Sequence, residues 1–276
     1  MHNLITLEEW LAAPPEHPVW ELPGVNIFTH MHDSLHTVDK GVNPHVLGNT
    51  LFTLVHYNPH IIGNLEDRVK RVWAGIQEEY VSQGIDPKYR ITHLGMSSIC
   101  KSAARSPTKY PELHGFKARQ ARYLVGPVRA LAQRYNTGTL QDTHRLIVLE
   151  RLERFYIIIE SHGHYLPSGV SAELLQCVHD LLLHYTFLAR TAQAAGLALW
   201  LVVPKFHYFY HLAWFGRYAN PKMGWTYADE DFVGRIARVA KSVVPGVGAL
   251  RLGKYLVHKY LIVLAIRFHR RQRCSF

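Results

Sequence analysis

Apolar residues recur at helical spacing through most of the chain beyond residue 41. In residues 43–57 they fall on one helical face, with Asn43 as the expected N-cap and a proline in the first turn. In residues 64–84, Asn64 precedes two acids of the first turn, and Gly84 follows the last apolar position. Both segments are therefore predicted to be helices.

Two stretches depart from this helical pattern. Residues 85–115 carry proline, serine and glycine without a sustained period, which predicts a connector with room for one short strand. Residues 197–204 are apolar and end in proline, which favours a buried strand. Helical spacing returns elsewhere, and the predicted helices are 116–135, 141–160, 171–196, 205–219, 229–244 and 249–273.

The composition indicates a folded, basic protein. Of 276 residues, 48% are hydrophobic and 19% are charged, which excludes a disordered chain. The formal net charge is +10, from 31 Lys and Arg against 21 Asp and Glu. A positive surface of this size favours polyanionic partners, although the same charge also serves solubility.

The three cysteines, Cys100, Cys177 and Cys274, lie far apart, which argues against a disulfide framework and against a thiolate zinc site. This pattern favours a reducing compartment, and we expect a nuclear or cytoplasmic location. The first residues do not resemble a secretory signal, and no apolar stretch is long enough to span a bilayer. No membrane association is predicted.

Candidate chemistry is limited to acids and histidines, because P-loop, dinucleotide-binding, zincin and nucleophile-elbow motifs do not occur in the sequence. His207 and His211 have the spacing that lets two rings on one helix face one metal ion. A third ligand at a defined offset is missing, and the aromatic neighbours also fit two core histidines bonded to the backbone. Both interpretations remain open.

Two acids stand at predicted element boundaries. Asp33 opens the D-x-x-H pattern with His36, directly before the first predicted helix, and Glu230 lies in "GWTYADEDF", where a loop enters another helix. Acids at a helix start are commonly explained by capping. A shared catalytic role is the alternative hypothesis.

The blocks around these acids resemble cut-and-paste DNA transposases of the CACTA (En/Spm) and hAT groups. The segment "LPGVNIFTHMHDSLHTVDKGVNPHVLGN" is similar to their D-x-M-H-x-x-x-x-G or [C/D]-x-x-H segment, with Leu35 where methionine is usual. The segment "PKFHYFYHLAWFGRYANPKMGWTYADEDFVGRIARVAKS" resembles their distal block. There, Trp225, Tyr227 and Glu230 reproduce the W-x-F-x-x-E spacing that ends in the last acid of the family.

This resemblance implies a fold, a site and a cofactor. The fold class it implies is mostly α, with a helical bundle inserted in a partial, truncated RNase H-like α/β core. Glu230 and Asp33 would be catalytic carboxylates binding Mg²⁺ or Mn²⁺ for strand transfer, as in two-metal phosphodiester chemistry. Asp33 is alternatively a structural partner of His36. His36, His207, His211 and Trp225 would support the site.

The family places a first catalytic aspartate on a strand well ahead of the D-x-x-H block, whereas 32 residues precede Asp33. The resemblance therefore implies the C-terminal part of a transposase, a fragment from a mobile element with an incomplete active site. Three segments are expected: a lead with the D-x-x-H segment at 1–63, an inserted bundle at 64–196, and a helical part carrying the distal acid at 197–276.

DNA is the expected partner, and a homo-oligomer or a missing N-terminal part of the same protein is a further possible partner. One alternative is a helical nucleic-acid or partner-binding module without an ancestral active site, and another is a histidine-dependent metalloprotein. The residues expected to contact phosphates lie on two basic helices, and they are Arg119, Arg122, Arg129, Arg134, Lys254, Lys259, Arg267, Arg270 and Arg271.

Overall fold

The computed structural model describes residues 12, 18, 32–102, 104–242 and 248–273, apart from the side chains of 228–231, 249, 250 and 267–273. A π-helix, Leu35–Val42, precedes the α-helices, and short 3₁₀ turns lie at Pro87–Tyr89 and Pro221–Gly224. The α-helices are α1 (Asn43–Tyr57), α2 (Leu65–Ser82), α3 (Met96–Ile99), α4 (Ala118–Tyr123), α5 (Val125–Arg134), α6 (Leu140–Ser161), α7 (Ser168–Ala194), α8 (Pro204–Phe215), α9 (Tyr227–Lys241) and α10 (Ala249–Arg273).

The mostly helical class is confirmed, but the RNase H-like α/β core is not supported, because the described residues form no strand. The strand expected at 197–204 is irregular backbone with a bend at Trp200, and it leads into α8. Its polar groups bond to side chains instead of a neighbouring strand. The Trp200 N–H donates to Asn49 Oδ1 at 2.7 Å, and the Leu201 carbonyl accepts from Tyr185 Oη at 2.9 Å.

The chain divides into two compact units, Met1–Gly224 and Trp225–Phe276. This division differs from the three segments expected from the sequence. The π-helix packs on α1, α4 and α8, and α8 packs on α7, so parts of all three expected segments share one core.

Helix α1 lies inside the first unit, and thirteen of its fifteen residues are buried. Such a helix can approach other backbone closely only where side chains are small. At Gly48, an added Cβ would lie 2.6 Å from the Cα of Glu112, so the crossing chain at 111–113 requires glycine there. Leu113 N–H donates to the Pro44 carbonyl at 2.9 Å and holds this crossing in place.

The N-terminus of the first helical segment differs from the expectation, whereas that of α2 agrees. Asn43 does not cap α1, because the π-helix runs directly into α1 and the Asn43 N–H donates to the Val38 carbonyl five residues earlier. Asn64 caps α2 as expected, since its Oδ1 accepts from the Asp67 N–H at 3.0 Å.

The second unit contains α9 and α10, which pack against each other. The Phe232 and Tyr260 rings meet edge to face at 5.7 Å between centroids. Many apolar side chains of these helices stay exposed, including Val233, Val257 and Leu261. Among the described residues, no helix combines the length and apolar character needed to cross a bilayer.

Candidate functional site

The D-x-x-H pattern forms the beginning of the π-helix. Asp33 Oδ1 accepts from the Leu35 N–H at 2.9 Å, and Asp33 Oδ2 pairs with His36 Nδ1. The first bond satisfies a backbone donor that a helix start leaves without a partner. The second fixes the orientation of the imidazole ring. His36 is 51% exposed, which gives a ligand access to it.

The histidines of α8 lie beside this pattern. His207 and His211 bring their Nε2 atoms to 2.9 Å, so one ring donates and the other accepts. His32 stacks on Tyr208 with centroids 4.9 Å apart and lies 5.9 Å from His211. Burial, followed by the neighbouring His207, lowers the pKa of His211. The structure therefore places His32, from the first block of the resemblance, beside α8, which belongs to the second block.

A close crossing holds α8 against the π-helix. An added Cβ at Gly41 would lie 2.5 Å from Lys205 Cδ and 2.9 Å from the His36 carbonyl oxygen. Lys205 Nζ donates to the Lys40 carbonyl at 3.2 Å. Glycine at position 41 is thus explained by the passage of the lysine side chain. π-Helical segments are often found at functional sites, and this one packs against the helix that carries His207 and His211.

The described residues do not provide a ligand set for the expected metal site. Within them, no three His, Cys, Asp or Glu side chains are placed to hold a metal ion, so a third ligand for His207 and His211 is not found there. Asp33 is the one expected carboxylate whose side chain is described, and it bonds to backbone and to His36. Glu230 lies in the first turn of α9, and its side chain falls outside the described residues. The described donors alone therefore do not fit a two-metal site.

A buried carboxylate in the same block was missed by the sequence reasoning. Asp39 is 1% exposed, and Tyr156 Oη donates to its Oδ1 at 2.6 Å. Asn43 Nδ2 donates to Tyr156 Oη at 3.3 Å, and the Arg122 guanidinium lies 5.1 Å from the Tyr156 ring. The available signal was its position between Val38 and Gly41, inside the motif that the resemblance covers. This network joins the π-helix to α4 and α6.

The arginines expected on a phosphate-binding face mostly pair with acids of neighbouring helices. Arg122 is 7% exposed and pairs with Glu160, so it belongs to the interior and not to a basic surface. Arg119 is exposed, with its guanidinium 6.0 Å from the Tyr89 ring. The other two pairings are Arg129 with Glu153, and Arg134 with Glu78 at 2.9 Å and Glu79 at 2.6 Å.

The basic residues expected in the second unit lie on α10. Lys254 and Lys259 are exposed, and Lys259 Nζ donates to the Ser242 carbonyl at 3.3 Å. Trp225 precedes α9, with its ring centroid 6.0 Å from that of Tyr227. The side chains of Arg267, Arg270 and Arg271 fall outside the described residues.

Comparison of the chain with protein-family models, with curated proteins and with solved structures found no match.

Proposed function

We propose that this chain is a transposase-derived, DNA-binding protein that contacts phosphates through its second unit and lacks a complete site for strand transfer. The observation that carries the proposal is the distribution of charge. Residues 225–276 hold ten of the 31 Lys and Arg residues but three of the 21 Asp and Glu residues, and those three are adjacent, at 229–231. From residue 232 onward the sequence has no acid.

Such a segment attracts a polyanion because its ten basic residues outnumber its three acids, which leaves a formal net charge of +7. DNA carries condensed counterions, and their release when lysine and arginine neutralise phosphates drives binding. The basic residues recur along both helices, so several can reach successive phosphates of one duplex. The ten basic residues are Arg235, Arg238, Lys241, Arg251, Lys254, Lys259, Arg267, Arg270, Arg271 and Arg273.

The transposase origin is supported by the quoted blocks and by the contact of His32 with α8. Incomplete catalysis is proposed because strand transfer needs several carboxylates around two divalent ions. We therefore expect the chain to bind duplex DNA without nicking it when Mg²⁺ or Mn²⁺ is present. Robust nicking by the unchanged chain that is lost in Glu230→Gln would contradict the proposal that the site is incomplete. That result would not contradict the proposal that the chain binds DNA.

The binding test uses the full chain and a fluorescent duplex in a salt series. A variant combining Arg251→Gln, Lys254→Gln and Lys259→Gln removes three exposed charges from the second unit. We expect binding at 50 mM salt that weakens steeply by 200 mM. In the variant, the slope of log K against log salt should shrink by about 2.7, because each phosphate contact contributes about 0.9.

The matched control combines Lys70→Gln, Lys88→Gln and Lys101→Gln, which removes the same net charge from the first unit. Its slope and affinity should stay near those of the unchanged chain. An equal loss in both variants would mean that overall charge, and not the second unit, governs binding. Undetectable binding at 50 mM salt would remove DNA as the partner.

A further inference from the structure

A cavity of about 470 Å³ lies in the first unit, away from the D-x-x-H pattern and the α8 histidines. It lies between the C-terminal end of α1, the N-terminal end of α6, the C-terminal end of α7 and the irregular segment 197–203 that leads to α8. Its volume falls in the range of small-molecule pockets, which extends from about 300 to 1,000 Å³.

One wall of the cavity is apolar. It is built from the last turns of α7 and the irregular segment, and its side chains are Leu188, Ala192, Ala195, Leu197, Leu199 and Trp200. The Tyr57 ring of α1 also lines the cavity. Two aromatic side chains beside aliphatic ones provide a surface on which a flat apolar ring can pack.

The charged side chains of the cavity neutralise each other. Arg145 Nη2 lies 2.6 Å from Asp142 Oδ1, and Arg145 Nη1 donates to Thr53 Oγ1 at 3.0 Å. Asp142 Oδ2 accepts from the Thr137 N–H at 2.9 Å. Burial raises the pKa of Asp142, but Arg145 and the Thr137 bonds outweigh it, so that the pKa is lowered overall and the carboxylate stays ionised. A charged ligand would add an uncompensated charge beside this balanced pair.

The wall at Trp200 is preformed at a conformational cost. Trp200 has a φ of +59°, in the left-handed region that a bulky side chain rarely adopts. Its N–H bonds to buried Asn49, and its ring meets Tyr185 edge to face at 5.5 Å. Asn49 also donates to the carbonyls of His45 and Pro111, which fixes its side chain. The Trp200 wall is therefore rigidly held beside the space.

We propose that this cavity binds an uncharged, mainly apolar small molecule with an aromatic ring and one polar end. The ring packs on the apolar wall, and the polar end meets the hydroxyl and amide groups at the rim, which come from Thr139, Gln141 and Thr191. The site lies wholly in the first unit and does not depend on DNA binding by the second unit.

The test is a titration of the full chain with N-phenyl-1-naphthylamine, an uncharged probe whose fluorescence rises in apolar surroundings. The variant is Ala195→Phe, because Ala195 lines the cavity and its own side chain is exposed, so the added ring can enter existing space. The matched control is Ala194→Phe, an exposed neighbour that does not line the cavity. We expect at least tenfold weaker binding in Ala195→Phe and less than a twofold change in Ala194→Phe.

Three results would overturn the proposal. They are undetectable binding to the unchanged chain, equal binding to both variants, and tighter cavity binding by 8-anilino-1-naphthalenesulfonate, the related probe with a negative charge. Because that anion can also bind basic surfaces, only the part of its signal that Ala195→Phe removes is assigned to the cavity. If circular dichroism shows that Ala195→Phe is unfolded, Ala192→Leu takes its place, because Ala192 lines the same cavity. The same loss of probe binding is then expected for Ala192→Leu, and the same three results would overturn the proposal.

Discussion

The two units differ in how many acids accompany their basic residues. In the first unit, arginines of α5 and α6 pair with acids on other helices, as Arg134 does with Glu78 and Glu79. In the second unit, ten basic residues share the segment with three acids, all of them within 229–231. The difference shows that net charge alone does not locate a candidate surface for a polyanion, because several arginines of the first unit pair with acids.

The units also differ in how they bury apolar residues. The first unit encloses large side chains completely, including Phe52, Phe155 and Phe209. The second unit leaves Val257, Ile262 and Ile266 substantially exposed. Folding stability should therefore respond mainly to changes in the first unit, whereas DNA affinity should respond mainly to changes in the second.

The largest effect on stability is expected for Arg145→Ala. The change leaves the buried Asp142 carboxylate without its ionic partner, and the loss of one member of a buried pair costs about 3–5 kcal/mol. Urea unfolding of the full chain measures this loss. The control is Arg190→Ala, at an exposed position of α7, and it should stay near the unchanged chain. A loss below about 1 kcal/mol in Arg145→Ala would show that Asp142 finds another partner.

A smaller loss is expected for Gly48→Ala. The new Cβ meets the Glu112 backbone, which must shift, and overpacking of this kind costs about 1–3 kcal/mol. The control is Gly169→Ala in the first turn of α7, where an added Cβ meets nothing within 4 Å. Its free energy of unfolding should be equal or slightly higher, because alanine favours the helix. Equal stability of the two variants would contradict the close crossing.

The pH dependence of stability should also come from the first unit. Burial is the largest cause of lowered pKa values for His45, His56, His144 and His211. Below their unfolded pKa of 6.5, the unfolded chain binds more protons than the folded chain. The free energy of unfolding should therefore fall as pH decreases from about 7 through 6.5 towards the lowered folded values. Urea unfolding at several pH values measures this slope, and His45→Gln should reduce it.

The smallest effect is expected for Arg154→Ala. Arg154 and Glu173 join α6 to α7, with Nη2 and Oε1 2.6 Å apart, but both side chains are 45% exposed. Water and salt screen such a pair, so the loss should be less than about 1 kcal/mol by urea unfolding. A loss as large as that of Arg145→Ala would mean that exposure does not set the strength of these pairs.

The helices were predictable from the sequence because their signals are local. Asn64 and its following acids define the start of α2 within four residues. The strand expected at 197–204 was wrong because apolar composition does not show whether a neighbouring strand exists. Here the irregular backbone at Trp200 and Leu201 bonds to Asn49 and Tyr185, which lie on helices.

The candidate site was predictable only in part. His36 and its carboxylate are neighbours in sequence, so their pairing follows from spacing alone. The approach of His32 to His211 depends on how α8 crosses the π-helix, which no local pattern encodes. The burial of Asp39 depends likewise on Tyr156, 117 positions later. The pairs of Arg122 with Glu160 and of Arg134 with Glu78 and Glu79 are long-range contacts of the same class.

The Asn49 side chain has a consequence for the order of folding. Its amide bonds to Pro111 and Trp200, which lie 62 and 151 positions further along the chain. Closure of such long loops is slow compared with helix formation, so the strained turn at Trp200 should lock only after α1 has formed. In pulse-labelling hydrogen exchange during refolding, the Trp200 amide should gain protection later than the amides of α1.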